Sequence, residues 1–189
     1  EIVRYVDTMH DKVADQFFTS DYKISETELA LIKRIQDCIR DLTTEHFGRP
    51  VVPILAPLWA LKTFRAVSEI SRLHGDKPLK IVEFGPGSGY LSLLLGLTGH
   101  QYICTDITQA MYLWQNRIYC RLFGDDFAEL ALDGSSFDGL TKQIIHIPWW
   151  RLRELYDEPA ADTDIVIADC AVSEMSQDSL LFSAALTKK

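Results

Sequence analysis

The sequence predicts an α/β fold in which the strands of a parallel sheet alternate with helices, and three observations support this. A short apolar run over residues 81–84 stops at the sequence Gly-Pro-Gly-Ser-Gly, residues 85–89. A leucine-rich run follows and closes at Gly99, a residue type common just after helix C-termini. A second β-rich run, residues 102–105, then ends on Asp106. Strand, glycine turn, helix, strand and acid in this order are typical of the first half of a nucleotide-binding α/β fold.

Two amphipathic helices are predicted near the N-terminus. Residues 2–18 carry apolar side chains at helical spacing, and a second apolar stripe runs over residues 31–42. Ser25, with Glu28 three residues later, has the sequence of a capping box at the start of the second helix. Each apolar stripe needs a covering surface, supplied by the other helix, by the α/β domain or by a partner subunit.

A proline-rich connection follows these helices. Three X-Pro pairs between residues 48 and 57 predict extended chain, because the residue before a proline disfavours the helical conformation. Pro57 suits the first turn of another helix, which ends at His74-Gly75. We therefore predict a helical N-terminal extension or cap over residues 1–75 and an α/β domain over residues 76–189.

The chain beyond the second strand continues the alternation. A helix is predicted over residues 109–123, and the polar stretch 125–142 is predicted to be an irregular, exposed insertion. Further strands are predicted over residues 144–147 and 164–169, the latter apolar on both faces as in a buried parallel strand. Residues 176–186 are predicted to be helical.

Composition indicates an ordinary globular protein. The 189 residues are 47% hydrophobic and 24% charged, and the net charge of −8 argues against a nucleic acid as the main partner. The cysteines at positions 38, 104, 120 and 170 form no C-x-x-C pair, which favours reduced thiols over disulfides or a zinc site. No apolar run is long enough to cross a membrane. We expect a cytoplasmic protein without a metal site.

The glycine-rich turn has a chemical reason. A turn that passes beneath a cofactor cannot carry Cβ atoms, and some of its residues need positive φ. Asp106 follows Gly89 by seventeen positions, where a carboxylate reaches both hydroxyls of a ribose. Tyr90 replaces a glycine of the G-x-G-x-x-G dinucleotide fingerprint, which disfavours NAD. NAD, another nucleotide and a βαβ turn without any ligand are the alternatives. With Glu83 two residues before the first glycine as well, the chain resembles the class I S-adenosylmethionine-dependent methyltransferases.

The resemblance implies a Rossmann-like methyltransferase sheet and S-adenosylmethionine as cofactor, with S-adenosylhomocysteine as product. Glu83 would lie near the methionine amino group, Asp106 would bind the ribose hydroxyls and Ile107 would pack on the adenine. A complete sheet of this class has further strands, so we expect the domain to be C-terminally incomplete. The residues expected to bind the cofactor are Glu83, Gly85, Pro86, Gly87, Ser88, Gly89, Tyr90, Asp106, Ile107, Trp149, Asp169 and Cys170.

Methyl transfer to an alcohol requires a base that removes the hydroxyl proton. The candidates are His146, Asp169 and Glu174, with His100 as a further one. Each has a simpler interpretation: His146 is a strand residue bonded to backbone, His100 a turn residue, and Glu174 a residue near the start of the last helix. Asp169 is alternatively a ligand of the cofactor's amino group.

Aromatic residues suggest the acceptor. Trp149 and Trp150, together with Trp114 and Tyr90, are candidates for a wall against a sugar or another flat, weakly polar ligand, the alternative being core packing.

A more specific resemblance narrows the acceptor. Residues 105–116 and 147–150, with the glycine loop, resemble putative sugar O-methyltransferases, so we expect O-methylation of a sugar or similar small hydroxyl compound. The alternatives are a different acceptor, such as a natural-product amine or phenol, or a cofactor-binding interaction domain without turnover. A homo-oligomer formed through the N-terminal helices is a further expectation.

Overall fold

A five-stranded, all-parallel sheet forms the centre of the structure, which confirms the predicted α/β class with a parallel sheet. The computed structural model describes residues 23–132, 141–157, 163–169, 171–172 and 175–186, so the predicted helix over residues 2–18 lies outside the described residues. The strands are β1 (Lys80–Phe84), β2 (Gln101–Thr105), β3 (Phe127–Glu129), β4 (Ile144–His146) and β5 (Ile165–Ile167). Their order in the sheet is β3-β4-β2-β1-β5, consistent with a Rossmann-like fold.

Six helices in the described residues cover the two faces of the sheet. They are α1 (Glu26–Phe47), α2 (Leu55–Leu73), α3 (Tyr90–Leu97), α4 (Gln109–Phe123), α5 (Leu152–Asp157) and α6 (Gln177–Leu186). Helices α1 to α4 share one hydrophobic cluster with one sheet face, whereas α5 and α6 border the cluster on the other face. Short 3-10 turns follow α4 and precede α5.

Strand alternation decides which side chains enter which layer. In β1, Ile81 belongs to the cluster under α1–α4, whereas Val82 and Phe84 belong to the cluster on the opposite face. Glu83 therefore points towards the same helices as Ile81. The chain runs from β1 to β2 on one side and later crosses to β5 on the other side of β1. The carboxyl ends of β1 and β5 are thus the topological switch point, where ligands bind in open α/β sheets.

One strand was not predicted. Residues 125–142 were predicted to be an irregular insertion, but Phe127–Glu129 pairs in parallel with β4 at the sheet edge. Phe127 and Ala128 pack against the hydrophobic clusters on the two faces, which stabilises this short strand despite its polar neighbours. The insertion prediction was therefore wrong for these three residues, and residues 133–140 lie outside the described part of the chain.

The two N-terminal helices pack directly on the α/β layer. Ile35 and Ile39 of α1, Leu61 of α2 and Leu94 of α3 are all fully buried and belong to one cluster with the sheet face. The helices of the predicted extension therefore contribute to the same core as the sheet. The domain boundary at residues 75/76 stays a prediction.

A partly buried ion pair connects the start of α1 to α2. The Ser25 hydroxyl accepts the Glu28 N–H at 3.2 Å, and the Ser25 N–H donates to the Glu28 carboxylate at 2.8 Å, which completes the predicted capping box. The Arg65 guanidinium from α2 donates to both oxygens of Glu28, at 2.5 and 2.8 Å. Its hydrogen bonds are the main reason why the pKa of Glu28 is lowered to about 2.

Glu28→Ala should lower the free energy of unfolding by about 2 kcal/mol at neutral pH, because it removes the bond from the Ser25 N–H to the Glu28 carboxylate and leaves a half-buried Arg65 without this partner. The pKa is lowered in the folded state, so the stabilisation exists above about pH 4.5 and is lost as the pH falls towards 2. Denaturant unfolding at several pH values measures both effects. The matched control, Glu26→Ala in the same helical turn, should cost less than about 1 kcal/mol; equal costs for the two variants would contradict the assigned role of Glu28.

Candidate functional site

The glycine loop begins where β1 pairs with β2. The Gly85 N–H donates to the Thr105 carbonyl at 2.9 Å, one step beyond the last strand pair. The Gly89 N–H donates back to the Pro86 carbonyl at 2.9 Å, and the half-buried Ser88 lies between them. The three glycines have φ values of +69°, +56° and +78°, which confirms the predicted need for positive φ in this turn.

The three glycines are required for different reasons. A Cβ on Gly85 would lie 3.0 Å from the Ala171 side chain, and one on Gly89 would lie 3.0 Å from the Tyr119 hydroxyl. At Gly87, a Cβ would meet no atom of the described residues within 4 Å. The sequence interpretation assigned all three glycines to clearance beneath a cofactor. Protein packing accounts for two of them, and Gly87 is the one whose backbone borders open space.

Hydroxyl groups beneath the loop support it. The Tyr119 hydroxyl lies 2.6 Å from the Ser92 hydroxyl, which in turn donates to the Gly89 carbonyl at 2.6 Å. The Cys104 thiol donates to the Tyr119 hydroxyl at 3.6 Å. Burial raises the pKa of this thiol, so Cys104 stays protonated as a donor in the chain of bonds.

Asp106 lies beside the loop and is held by several donors. Its carboxylate is 6% exposed; one oxygen accepts the Thr108 N–H at 2.8 Å and the other accepts the Gln115 amide at 3.1 Å. A backbone bond from Gly87 also stabilises the charge. Burial outweighs these bonds and raises the pKa of Asp106. Asp106, which was predicted to bind the ribose, therefore lies next to Gly87 of the loop.

Glu83 is buried behind the loop, under the helical layer. It is 3% exposed, and the Tyr102 hydroxyl donates to its Oε2 atom. Burial raises the pKa of Glu83 to about 8, and the charges of Asp169 and Asp106 contribute to the same shift. At neutral pH the group is therefore mainly a neutral carboxylic acid, which can donate a hydrogen bond as well as accept one.

Glu83→Gln should make stability less dependent on pH. Between about pH 4.5 and 8 the folded state keeps the Glu83 proton and the unfolded state releases it, so this group's stabilising contribution is lost as the pH rises through that range. Relative to the wild type, the variant should gain about 3 kcal/mol in free energy of unfolding from about pH 5 to about pH 8.5.

Denaturant unfolding across this range measures the slope, with exposed Glu26→Gln as the matched control. Parallel pH profiles of the wild type and Glu83→Gln would show that Glu83 is ionised in the folded protein at neutral pH.

The histidine candidates for the base are both buried. His146 is 0% exposed, its Nδ1 bonds to the Asn116 amide oxygen rather than to backbone, and its ring stacks on Tyr112 at a centroid distance of 3.9 Å. Burial lowers the pKa of His146 to about 3, so it is neutral at physiological pH. His100 accepts the Leu79 N–H at 3.1 Å, the turn role considered above. Both imidazoles are thus enclosed by protein.

Asp169 is the exposed acid at the end of β5. It follows that strand by two residues, and its Oδ2 accepts the Thr63 hydroxyl of α2 at 3.3 Å. Its charge contributes to the raised pKa of Glu83. Cys170 and Glu174 lie outside the described residues. Of the predicted base candidates with described positions, Asp169 combines exposure with a place at the switch point.

The side chains predicted to contact the adenine or the acceptor lie in two environments, one exposed and one buried. Ile107, after β2, is 76% exposed, and Trp149 and Trp150, after β4, are 55% and 58% exposed with their rings perpendicular at 6.1 Å. Tyr90 and Trp114 are 2% and 4% exposed and belong to the hydrophobic core. Core packing, the alternative to the wall, therefore applies to Tyr90 and Trp114, and Trp149 and Trp150 remain the candidates for a wall. Any contact of Tyr90 with a cofactor would involve its backbone.

Sequence reasoning missed Gln115 and Thr63. Gln115 lies on α4 between Tyr112 and Ile118, in a stripe of buried residues that faces the sheet. A polar residue within such a stripe is the signal that could have identified it. Thr63 lies on a helix remote in sequence from Asp169 and carries no local signal.

The residues that the structure describes contain no group of three or more His, Cys, Asp or Glu side chains able to hold a metal ion. No helix among them combines the length and the apolar character needed to cross a membrane.

Comparison of the chain with protein-family models, curated proteins and solved structures finds no match. The function is therefore inferred from the site's own chemistry.

Proposed function

We propose that this chain binds S-adenosylmethionine and transfers a methyl group to a hydroxyl of a sugar or a similar small metabolite. The observation that carries the proposal is the junction of the glycine loop with Asp106 at the carboxyl ends of the adjacent strands β1 and β2. Gly87 has no side chain, and the Asp106 carboxylate lies beside it. This arrangement suits a ribose and the group attached to it.

Four residues would hold the cofactor. Gly87 would border the ribose and methionine, Asp106 would accept the ribose hydroxyls, and exposed Ile107 would contact the adenine. Glu83, buried behind the loop and mainly neutral, would face the methionine end as a group that can donate or accept a hydrogen bond. The Asp106 carboxylate and the open space beside Gly87 fit an adenosyl group. The strand order β4-β2-β1-β5 is compatible with a methyltransferase sheet.

A nicotinamide dinucleotide is a poorer fit. The dinucleotide fingerprint uses its third glycine for close packing of helix on strand. In this chain the corresponding region begins with Tyr90, which is 2% exposed and fills the core between α3 and the sheet.

The acceptor would lie at the switch point, near Asp169. When bound, the cofactor supplies the activated methyl group, so the protein's task is to align the acceptor and remove its proton. Asp169 is exposed and would accept that proton, while the hydroxyl of Thr63 orients its Oδ2 atom. Trp149 and Trp150 offer flat apolar surfaces of the kind that stack on sugar rings.

Calorimetric titration should show micromolar binding of S-adenosylmethionine and S-adenosylhomocysteine and none of NAD. Asp106→Ala should abolish binding because it removes the ribose ligand. Gly87→Ala should weaken binding at least tenfold, because its Cβ would occupy the space that borders the loop.

Gly99→Ala is the matched control for Gly87→Ala, since Gly99 also has positive φ, +93°, with nothing within 4 Å of its Cβ position, but lies after α3. It should carry a similar strain and leave affinity unchanged. Absence of binding by the intact chain, or equal affinity loss in the two glycine variants, would argue against the proposal.

Methyl transfer should depend on Asp169. With labelled S-adenosylmethionine and a panel of sugars, phenols and amines, we expect product from a sugar or related alcohol. Asp169→Asn should reduce the rate at least about a hundredfold because it removes the base, while cofactor affinity is retained. Exposed Asp178→Asn on α6 is the control. Cofactor binding without turnover on any acceptor would favour the non-catalytic interaction domain instead.

A further inference from the structure

The geometry points to Gln115 as the positioning residue for ribose recognition: it fixes the Asp106 carboxylate against the backbone of Gly87, so that the site selects a ligand with an intact ribose diol. This inference rests on the proposed function and deepens it. It assigns specificity for ribonucleosides to a helix residue that does not itself contact the sugar.

Gln115 joins the two halves of the site. Its Nε2 atom donates to the Gly87 carbonyl at 2.6 Å and to the Asp106 carboxylate at 3.1 Å. A primary amide carries two N–H groups in one plane, so both donors are used and their directions are fixed relative to each other. The loop after β1 and the acid after β2 are therefore held at a set distance by one side chain.

The orientation of the amide follows from its neighbours. With Nε2 towards Gly87 and Asp106, Oε1 is buried and has no hydrogen-bond partner among the described residues. The opposite orientation would place Oε1 against a carbonyl and a carboxylate, which are both acceptors. The Gln115 amide thus donates to two acceptors of the site, the Gly87 carbonyl and the Asp106 carboxylate, while its own oxygen stays unpaired among the described residues. Simple core packing does not require such an arrangement.

Packing holds the side chain in this position. Gln115 is 0% exposed, and its Cγ lies 3.5 Å from where a Cβ of Gly89 would stand. A Cβ at Gly89 would therefore be in ordinary van der Waals contact with Gln115, whereas the Tyr119 hydroxyl would lie closer, at 3.0 Å. Burial and the two amide hydrogen bonds together hold Gln115 in place.

A fixed carboxylate is what recognition of a diol needs. The Thr108 N–H restrains one oxygen of Asp106 and Gln115 restrains the other, so the carboxylate plane cannot turn freely. Two vicinal hydroxyls gain most from an acceptor that is already oriented, because less conformational freedom is lost on binding. Without Gln115 the carboxylate remains, but its preference for a diol over a single hydroxyl should decrease.

The test compares S-adenosylhomocysteine with its 2′-deoxy analogue by calorimetry. The wild type should bind the ribose form about thirtyfold more tightly, the effect expected from one hydrogen bond to a charged group. In Gln115→Met, which keeps the length of the side chain but has no N–H, this ratio should fall to about threefold or less. The matched control is Gln143→Met, which also loses an amide bond of 2.6 Å to a backbone carbonyl, that of Gly96, and should keep the ratio.

A purely structural role for Gln115 gives a different result. Equal weakening of both ligands, with the ratio preserved, would overturn the inference while leaving the proposed function intact. Failure of the wild type to bind either ligand would overturn both.

Gln115→Glu provides a second test should the Met variant not fold. Burial beside Asp106 should raise the pKa of the introduced carboxyl, as it does for Glu83, so that near neutral pH it keeps one donor and part of the ratio. Its ionisation at about pH 9 would place a carboxylate against two acceptors and should abolish the ratio, relative to the wild type at the same pH. A ratio unaffected by this substitution at either pH would contradict the inference.

Discussion

The parallel pairing of β1 with β2 is the constraint on which the candidate site depends. The register matches Phe84 with Thr105, and the bond from the Gly85 N–H to the Thr105 carbonyl carries the pairing into the loop. Because the two strands run in the same direction, the loop and Asp106 leave the sheet at the same edge. The crossover between them, α3, is almost wholly apolar and is buried beneath α1 and α2, so its position is set by the core. A polar site is thereby held by apolar packing.

Burial gives the site its electrostatic character. Glu83 and Asp106 both lose solvent, and the pKa of each is raised for that reason. The outcomes differ because the partners differ: Asp106 receives several N–H donors, whereas Glu83 is bonded by the hydroxyl of Tyr102 and faces other acids. Two carboxyl groups at one sheet edge therefore suit different tasks, one as an acceptor for hydroxyls and the other as a neutral acid.

The predictions from sequence held where the signal was local. The helices near residues 58–73, 91–97 and 109–123 and the strands around the glycine loop match the structure, since long periodic runs and positive-φ glycines need no distant partner. The strand at Phe127–Glu129 escaped prediction because three residues carry too little pattern and its partner β4 lies fifteen residues or more away. The rotation of α4 about its axis was left open, because its aromatic residues lie on several sides. A wall against a ligand and core packing were therefore both possible for Trp114, and the structure places it in the core.

The sequence alone determined the order of strand, glycine turn, helix and acid, and with it the α/β class, because each of these features depends on residues close together in the chain. Only the tertiary structure decided which polar groups meet. It brought Thr63 to Asp169 and Gln115 to Gly87, and it enclosed His146 between β4 and α4. These contacts depend on the strand order and on the rotation of each helix about its axis, both of which follow from how apolar surfaces pack together and neither of which is encoded in local spacing.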